Sequence, residues 1–236
     1  MSQQYRNPEA AGKLPPLARP AGRRDFLKWT GASALAVVVG ACDEATRTVV
    51  EVAEPPEIFP SVTLDFKDDI GVLNYIYLVE QLETAFYLAV VDDIPTPTPY
   101  SAGDLDILQH LRGHQIAHRE FLKATLGANA IVEITPNFTS VNLSSRTSVL
   151  QAAQVLEELG VAAYNGAVPF LSSEESLISL GKMVSVEGRH AATIRDLLSP
   201  TGFAPASFDP GVAPAEVLAA LDPYIRNSVS LINVPA

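Results

Sequence analysis

Four long segments of the chain carry an apolar stripe at helical spacing, and every stripe turns polar at its middle. The segments run roughly over residues 68–92, 104–126, 146–171 and 174–198. The first stripe reads Leu73, Ile76, Glu80, Glu83, Tyr87, Val90, and the second Leu108, Leu111, Gln115, His118, Leu122, Thr125. The third reads Leu150, Ala153, Glu157, Gly160, Tyr164, Ala167, and the fourth Leu180, Met183, Glu187, His190, Ile194, Leu197. Residues three, four and seven apart share one face of a helix, so each list is one side of one helix. A lone carboxylate in an apolar interior is very costly and demands a partner or a metal. Four stripes interrupted at one depth therefore predict a bundle that gathers its charged groups at its centre.

Punctuation supports the boundaries. The first segment stops before a proline run at 95, 97 and 99, and the second follows Ser101, Ala102 and Gly103 and ends at Gly127. Ser172 and Ser173 part the third from the fourth, and Pro200, Thr201 and Gly202 close the last. Residues 128–145 are long enough to cross the end of a bundle rather than merely turn. The expected fold is all-α: a four-helix bundle over 64–200 with a long crossover between the second and third helices. Residues 201–236 form a C-terminal extension with a short helix near Pro214–Leu221.

The polar centres repeat. Glu80 and Tyr87 in the first segment match Glu157 and Tyr164 in the third, seven apart in each. Gln115 and His118 in the second match Glu187 and His190 in the fourth, three apart in each. Two such halves make a pseudo-symmetric pocket for two metal ions. Carboxylate oxygens and imidazole nitrogens suit iron or manganese. Tyr87 and Tyr164 read as packing and hydrogen-bonding residues. His110 and His114 fall off the stripe and read as solvated, and Glu120 and Glu158 as surface residues.

These stretches, VEQLETAFY (79–87), HQIAHREFL (114–122), LEELGVAAYNGAVPFL (156–171) and VEGRHAATIRDLL (186–198), resemble the ferritin-like superfamily, and most of all its desiccation-related branch. The tail GFAPASFDP (202–210) fits the same resemblance. It implies a ferritin-like bundle in which two helices each supply a Glu and the other two a Glu-x-x-His. By position the implied ligands are Glu80, His118, Glu157, Glu187 and His190. The sixth place holds Gln115, and a neutral amide bridges two cations poorly. The sequence leaves three outcomes open: one ion held well and a second weakly, partial compensation by Glu83, or a degenerate site that binds nothing.

The charge is uneven: −11 overall, but +4 within residues 1–42, leaving −15 on the rest. So acidic a domain is repelled by nucleic acid, which excludes that class of partner. The single cysteine, Cys42, rules out an internal disulfide and a cysteine metal cluster. GRRDFLK (22–28) resembles the twin-arginine export consensus, which implies the twin-arginine translocase as a partner. The uncharged run from Thr30 to Ala41 falls short of the roughly 20 residues needed to span a bilayer. Val39, Gly40, Ala41 and Cys42 resemble a lipobox, which implies lipidation at Cys42 and a membrane anchor. Residues 43–63, with prolines at 55, 56 and 60, read as a tether.

Two functional expectations follow. One is an exported, membrane-anchored protein of the periplasm or cell envelope with a diiron or dimanganese centre, acting on a small oxidant or on ferrous ion. The other is a non-enzymatic envelope stress or interaction protein that keeps the bundle but not the activity. A lipidated N-terminus is at odds with closure into a hollow storage shell.

Overall fold

A computed structural model describes residues 58–92, 94–199 and 201–234. The stretch expected to be a twin-arginine signal, Cys42 and the expected tether as far as residue 57 lie outside the described residues. The remainder folds as strand β1 (Val62–Asp65), helices α1 (Asp69–Asp92), α2 (Ala102–Leu126), α3 (Arg146–Ala167), α4 (Glu174–Leu198) and α5 (Pro214–Leu221), and strand β2 (Val229–Ile232). No helix among the described residues is long and apolar enough to cross a membrane.

Serine caps set three of the four long helices. Ser101 accepts from the Asp104 N–H, and Asp104 answers to the Ser101 N–H, closing a capping box on α2. Ser145 and Ser173 accept from Ser148 and Ser176 at the starts of α3 and α4. Asp104 also takes both arms of Arg146, at 2.9 and 2.6 Å, and Arg146 reaches the Leu197 carbonyl at 3.3 Å. One buried carboxylate thus ties the start of α2 to the start of α3 and the end of α4. Asp69 accepts from Ser172 and Ser173, pinning the start of α1 to the start of α4.

α1 packs on α2 and on α3, and α3 packs on α4 and α5. α1 is buried on nearly every side, polar residues included. The reason is the crossover at 128–145. Asn74 donates to the Asn129 carbonyl at 2.9 Å and accepts from Ile131 N–H at 2.8 Å, while Gln81 accepts from Ile134 N–H at 2.8 Å. Two polar side chains on the outer face of α1 strap the crossover along it and satisfy its backbone groups.

Three sequence expectations are corrected. Residues 62 and 63, assigned to the tether, begin β1: Val62 and Leu64 are buried, and the strand pairs in parallel with β2 from Val62↔Val229 to Asp65↔Ile232. Thr125 is exposed and Leu126 takes the buried place, because the face four residues beyond Leu122 turns inward. The third helix ends at Ala167 and continues to Phe170 as a 3₁₀ turn around Pro169. Beyond the bundle, Val212 N–H donates to the Ala162 carbonyl at 3.1 Å, and α5 buries Val217 and Leu221 against the core. A Cβ at Gly166 would stand 1.9 Å from the Val212 carbonyl oxygen, so only glycine lets the extension lie this close to α3.

Candidate metal centre

The repeat read from sequence becomes a reciprocal contact in space. Tyr87 of α1 donates its hydroxyl to Glu157 Oε1 of α3 at 2.6 Å, and Tyr164 of α3 donates to Glu80 Oε1 of α1 at 2.5 Å. Each half of the bundle holds the other's carboxylate by one oxygen. The second oxygen of each, Oε2, has no hydrogen-bond partner although both residues are fully buried.

Glu187 of α4 stands between the two halves. Its Oε1 lies 2.7 Å from His118 Nδ1 and its Oε2 lies 3.2 Å from His190 Nδ1. His118 Nδ1 is also 3.4 Å from Glu80 Oε1, and His190 Nδ1 is 3.4 Å from Glu157 Oε2. The result is two clusters, Glu80–His118–Glu187 and Glu157–His190–Glu187, each with ligand atoms close enough to share an ion. All five residues singled out from sequence meet here. Glu80, Glu157 and Glu187 are fully buried, His190 nearly so, and His118 is 12% exposed, which makes it the solvent edge of the five.

Burial and mutual repulsion set the protonation of the metal-free site. Burial, reinforced by the charge on Glu187, raises Glu80 to about 7. Burial likewise raises Glu157 to about 7, against the pull of His190. Burial pushes Glu187 up too, but two imidazole partners outweigh it and hold its carboxyl well below the ordinary range. Burial would lower both histidines; their carboxylate partners prevail and raise His118 to about 9 and His190 to about 10. Tyr87 and Tyr164 are raised well above an ordinary phenol by burial and by the carboxylates they serve, so they remain hydrogen-bond donors. Without metal, two imidazolium ions therefore neutralise a carboxylate cluster.

The donor set fits iron or manganese. Buried potential ligand atoms with no hydrogen-bond partner include Glu80 Oε2, Glu157 Oε2, Glu187 Oε1 and His118 Nδ1. The 2.7 Å approach of His118 to Glu187 lacks hydrogen-bond geometry, as befits two groups aimed at a common point.

His114 joins the site although the stripes did not place it there, and Glu83, which the first stripe carried as a possible compensation for Gln115, stands beside it. His114, read as solvated, is exposed on one side only. Its Nδ1 shares a 2.9 Å hydrogen bond with His190 Nε2, and the two rings stack with centroids 5.2 Å apart. Its own protonation is suppressed by burial and by the neighbouring imidazoles, so it accepts the Nε2–H of His190 and leaves Nδ1 turned to the carboxylates. His114 lies one residue off the stripe, and only the reach of its ring brings it in. Glu83 is buried at 1% exposure, and Gln115 Nε2 donates to its Oε2 at 3.2 Å and to Glu187 Oε2 at 3.1 Å. His110 is exposed and pairs with Asp106, and Glu158 and Glu120 meet Arg195 and Arg119 near the surface.

A family model described as a ferritin-like domain matches residues 68–200, more than half of the chain and all four long helices. No curated protein matches the chain.

Proposed function

The chain belongs to the ferritin-like family, and on that footing we propose that it holds two iron or manganese ions in a carboxylate centre and uses them on peroxide, oxygen or ferrous ion in the cell envelope. One observation carries the reading: Glu187 divides its two oxygens between two matched Glu–His pairs. Glu80 and His118 would hold one ion, Glu157 and His190 the other, with Glu187 shared. Bound ions supply the redox chemistry and the activation of oxygen or peroxide.

The chain's own residues supply the rest. Tyr87 and Tyr164 orient the terminal carboxylates through Oε1 and leave Oε2 for the ion. His114 fixes the ring of His190, as outer partners of metal-binding histidines commonly do. The apolar helix faces above and below exclude water, and His118 marks the side on which a small oxidant reaches the site. The twin-arginine pattern at 22–28 and the lipobox ending at Cys42 support export through the twin-arginine translocase and membrane anchoring by a lipidated cysteine. That route carries folded proteins, which suits a bundle whose metal is loaded before it crosses the membrane.

Gln115 favours a second reading, a desiccation-related envelope protein that keeps the bundle without catalysis. Metal analysis with activity separates the two. The full chain, loaded with manganous or ferrous ion, is expected to bind about two ions and to consume peroxide or oxidise ferrous ion, while Glu187→Ala and Glu157→Ala lose both properties. Wild-type protein that takes up no ion after loading refutes the metal reading. Two ions without turnover leave the non-catalytic one.

A further inference from the structure

We propose that Glu83 is the fourth carboxylate ligand of the centre, taking from α1 the bridging place that Gln115 leaves open on α2. The inference rests on the dimetal reading above and concerns how the centre is completed.

The pseudo-symmetry shows what has changed. The step that carries Glu80 to Glu157 and Tyr87 to Tyr164 carries Glu83 to Gly160, and the step from His118 to His190 carries Gln115 to Glu187. The site is therefore asymmetric at two positions, and the two asymmetries meet. Where the α4 half offers Glu187, the α2 half offers an amide; where the α1 half offers Glu83, the α3 half offers nothing beyond hydrogen. A Cβ built on Gly160 would stand 2.5 Å from Glu83 Oε1, a separation that real side chains do not adopt. Gly160 is the hollow into which the Glu83 carboxylate fits.

That carboxylate borders the two ligand clusters without being a member of either. Its Oε1 is buried with no hydrogen-bond partner, as are Glu80 Oε2, Glu157 Oε2 and Glu187 Oε1. Its Oε2 and Glu187 Oε2 accept from the same Gln115 nitrogen, at 3.2 and 3.1 Å, so the two carboxylates approach one amide from either side. Gln115 cannot bring a negative charge to the ions, but its amide holds two carboxylates that do. Glu80, Glu83, Glu157 and Glu187 with His118 and His190 then make a set of four carboxylates and two imidazoles, balanced in charge against two divalent ions.

The test is manganous-ion titration of the metal-free full chain, read by ions bound per chain and by electron paramagnetic resonance. Wild-type protein is expected to bind two ions and show the signal of an exchange-coupled pair. Glu83→Gln, nearly the same size, is expected to weaken the second ion at least tenfold and to leave the six-line signal of isolated manganese. Gly160→Ala is expected to do the same with Glu83 intact, since its methyl group occupies the carboxylate's space. Adding Gln115→Glu to Glu83→Gln is expected to restore the second ion by returning the carboxylate to α2, a rescue that a structural role for Glu83 would not produce. Two ions of wild-type affinity and coupling in both Glu83→Gln and Gly160→Ala overturn the proposal while leaving the dimetal reading intact. Absence of rescue by Gln115→Glu also overturns it. Wild-type protein that binds no ion overturns both.

Discussion

Glu187→Ala should abolish the stabilisation that metal confers and cost the metal-free fold much less. In the metal-free protein Glu187 faces two imidazolium groups, at 2.7 and 3.2 Å. Removing one partner of a buried ion pair usually costs about 3–5 kcal/mol. Here the cost is offset, because His118 keeps Glu80 and His190 keeps Glu157, each at 3.4 Å. Those two carboxylates also lose the neighbouring charge that repels them. A net loss of about 1–3 kcal/mol is expected for the metal-free variant. Metal binding is the larger effect. At a thousandfold excess over its dissociation constant, each ion adds about 4 kcal/mol to the folded state, so two add about 8 kcal/mol. For a domain of this size, 1 kcal/mol moves the Tm by about 2–4 °C, which makes the wild-type shift about 16–32 °C. On the proposed arrangement the variant loses the ligand shared by both ions and should shift by less than about 5 °C. Differential scanning calorimetry of the full chain, chelated and then saturated with manganous ion, reads both quantities. A variant that keeps the full metal-induced shift would show that Glu187 is not the shared ligand.

The pH dependence of the metal-free protein has a definite sign. Glu80 and Glu157 are raised to about 7 from an ordinary 4.5, and His118 and His190 to about 9 and 10 from 6.5. A group whose pKa is raised on folding contributes stability at low pH and loses it as pH rises through the folded value. Melting of metal-free protein should therefore fall between pH 5 and pH 10, whereas metal-loaded protein should not follow that fall; a rising metal-free profile would contradict the assignment. Because both imidazolium groups must give up a proton to bind, manganous-ion binding at pH 7 should release protons, measurable by calorimetry in buffers of different ionisation enthalpy. Tyr87→Phe and Tyr164→Phe each remove a hydrogen bond to a buried carboxylate, and metal affinity should drop about 10–100-fold in both. Equal losses follow from the reciprocal pairing, and a titration of each variant checks them. Arg146→Ala leaves the Asp104 carboxylate buried with only its cap, and urea unfolding should register a loss of about 1–3 kcal/mol, discounted because the guanidinium is a third exposed.

The bundle and its polar centre are legible in sequence because period and punctuation agree there. Serine caps at 101, 145 and 173 and the proline run after α1 set helix ends to within a few residues. Glu80, His118, Glu157, Glu187 and His190 share a phase, and a phase is what helix geometry carries into space. The crossover's seat on α1 is not legible, since nothing in Asn74 or Gln81 names the backbone groups they meet more than fifty residues away. The β1–β2 pair escapes for a related reason: four-residue strands have too little alternation to read, and their partners lie at opposite ends of the domain. His114 escapes because phase ignores side-chain reach. Gly160 reads as one more small residue in an apolar stripe until the structure sets Glu83 opposite it.

Crystals of the full chain loaded with manganous ion, measured at the manganese absorption edge, test the shared-carboxylate arrangement most directly. An anomalous difference map should show two peaks flanking the Glu187 carboxylate, one against Glu80 and His118 and the other against Glu157 and His190. A map with no peak in that cluster, from crystals whose protein is folded and saturated with ion, would contradict it.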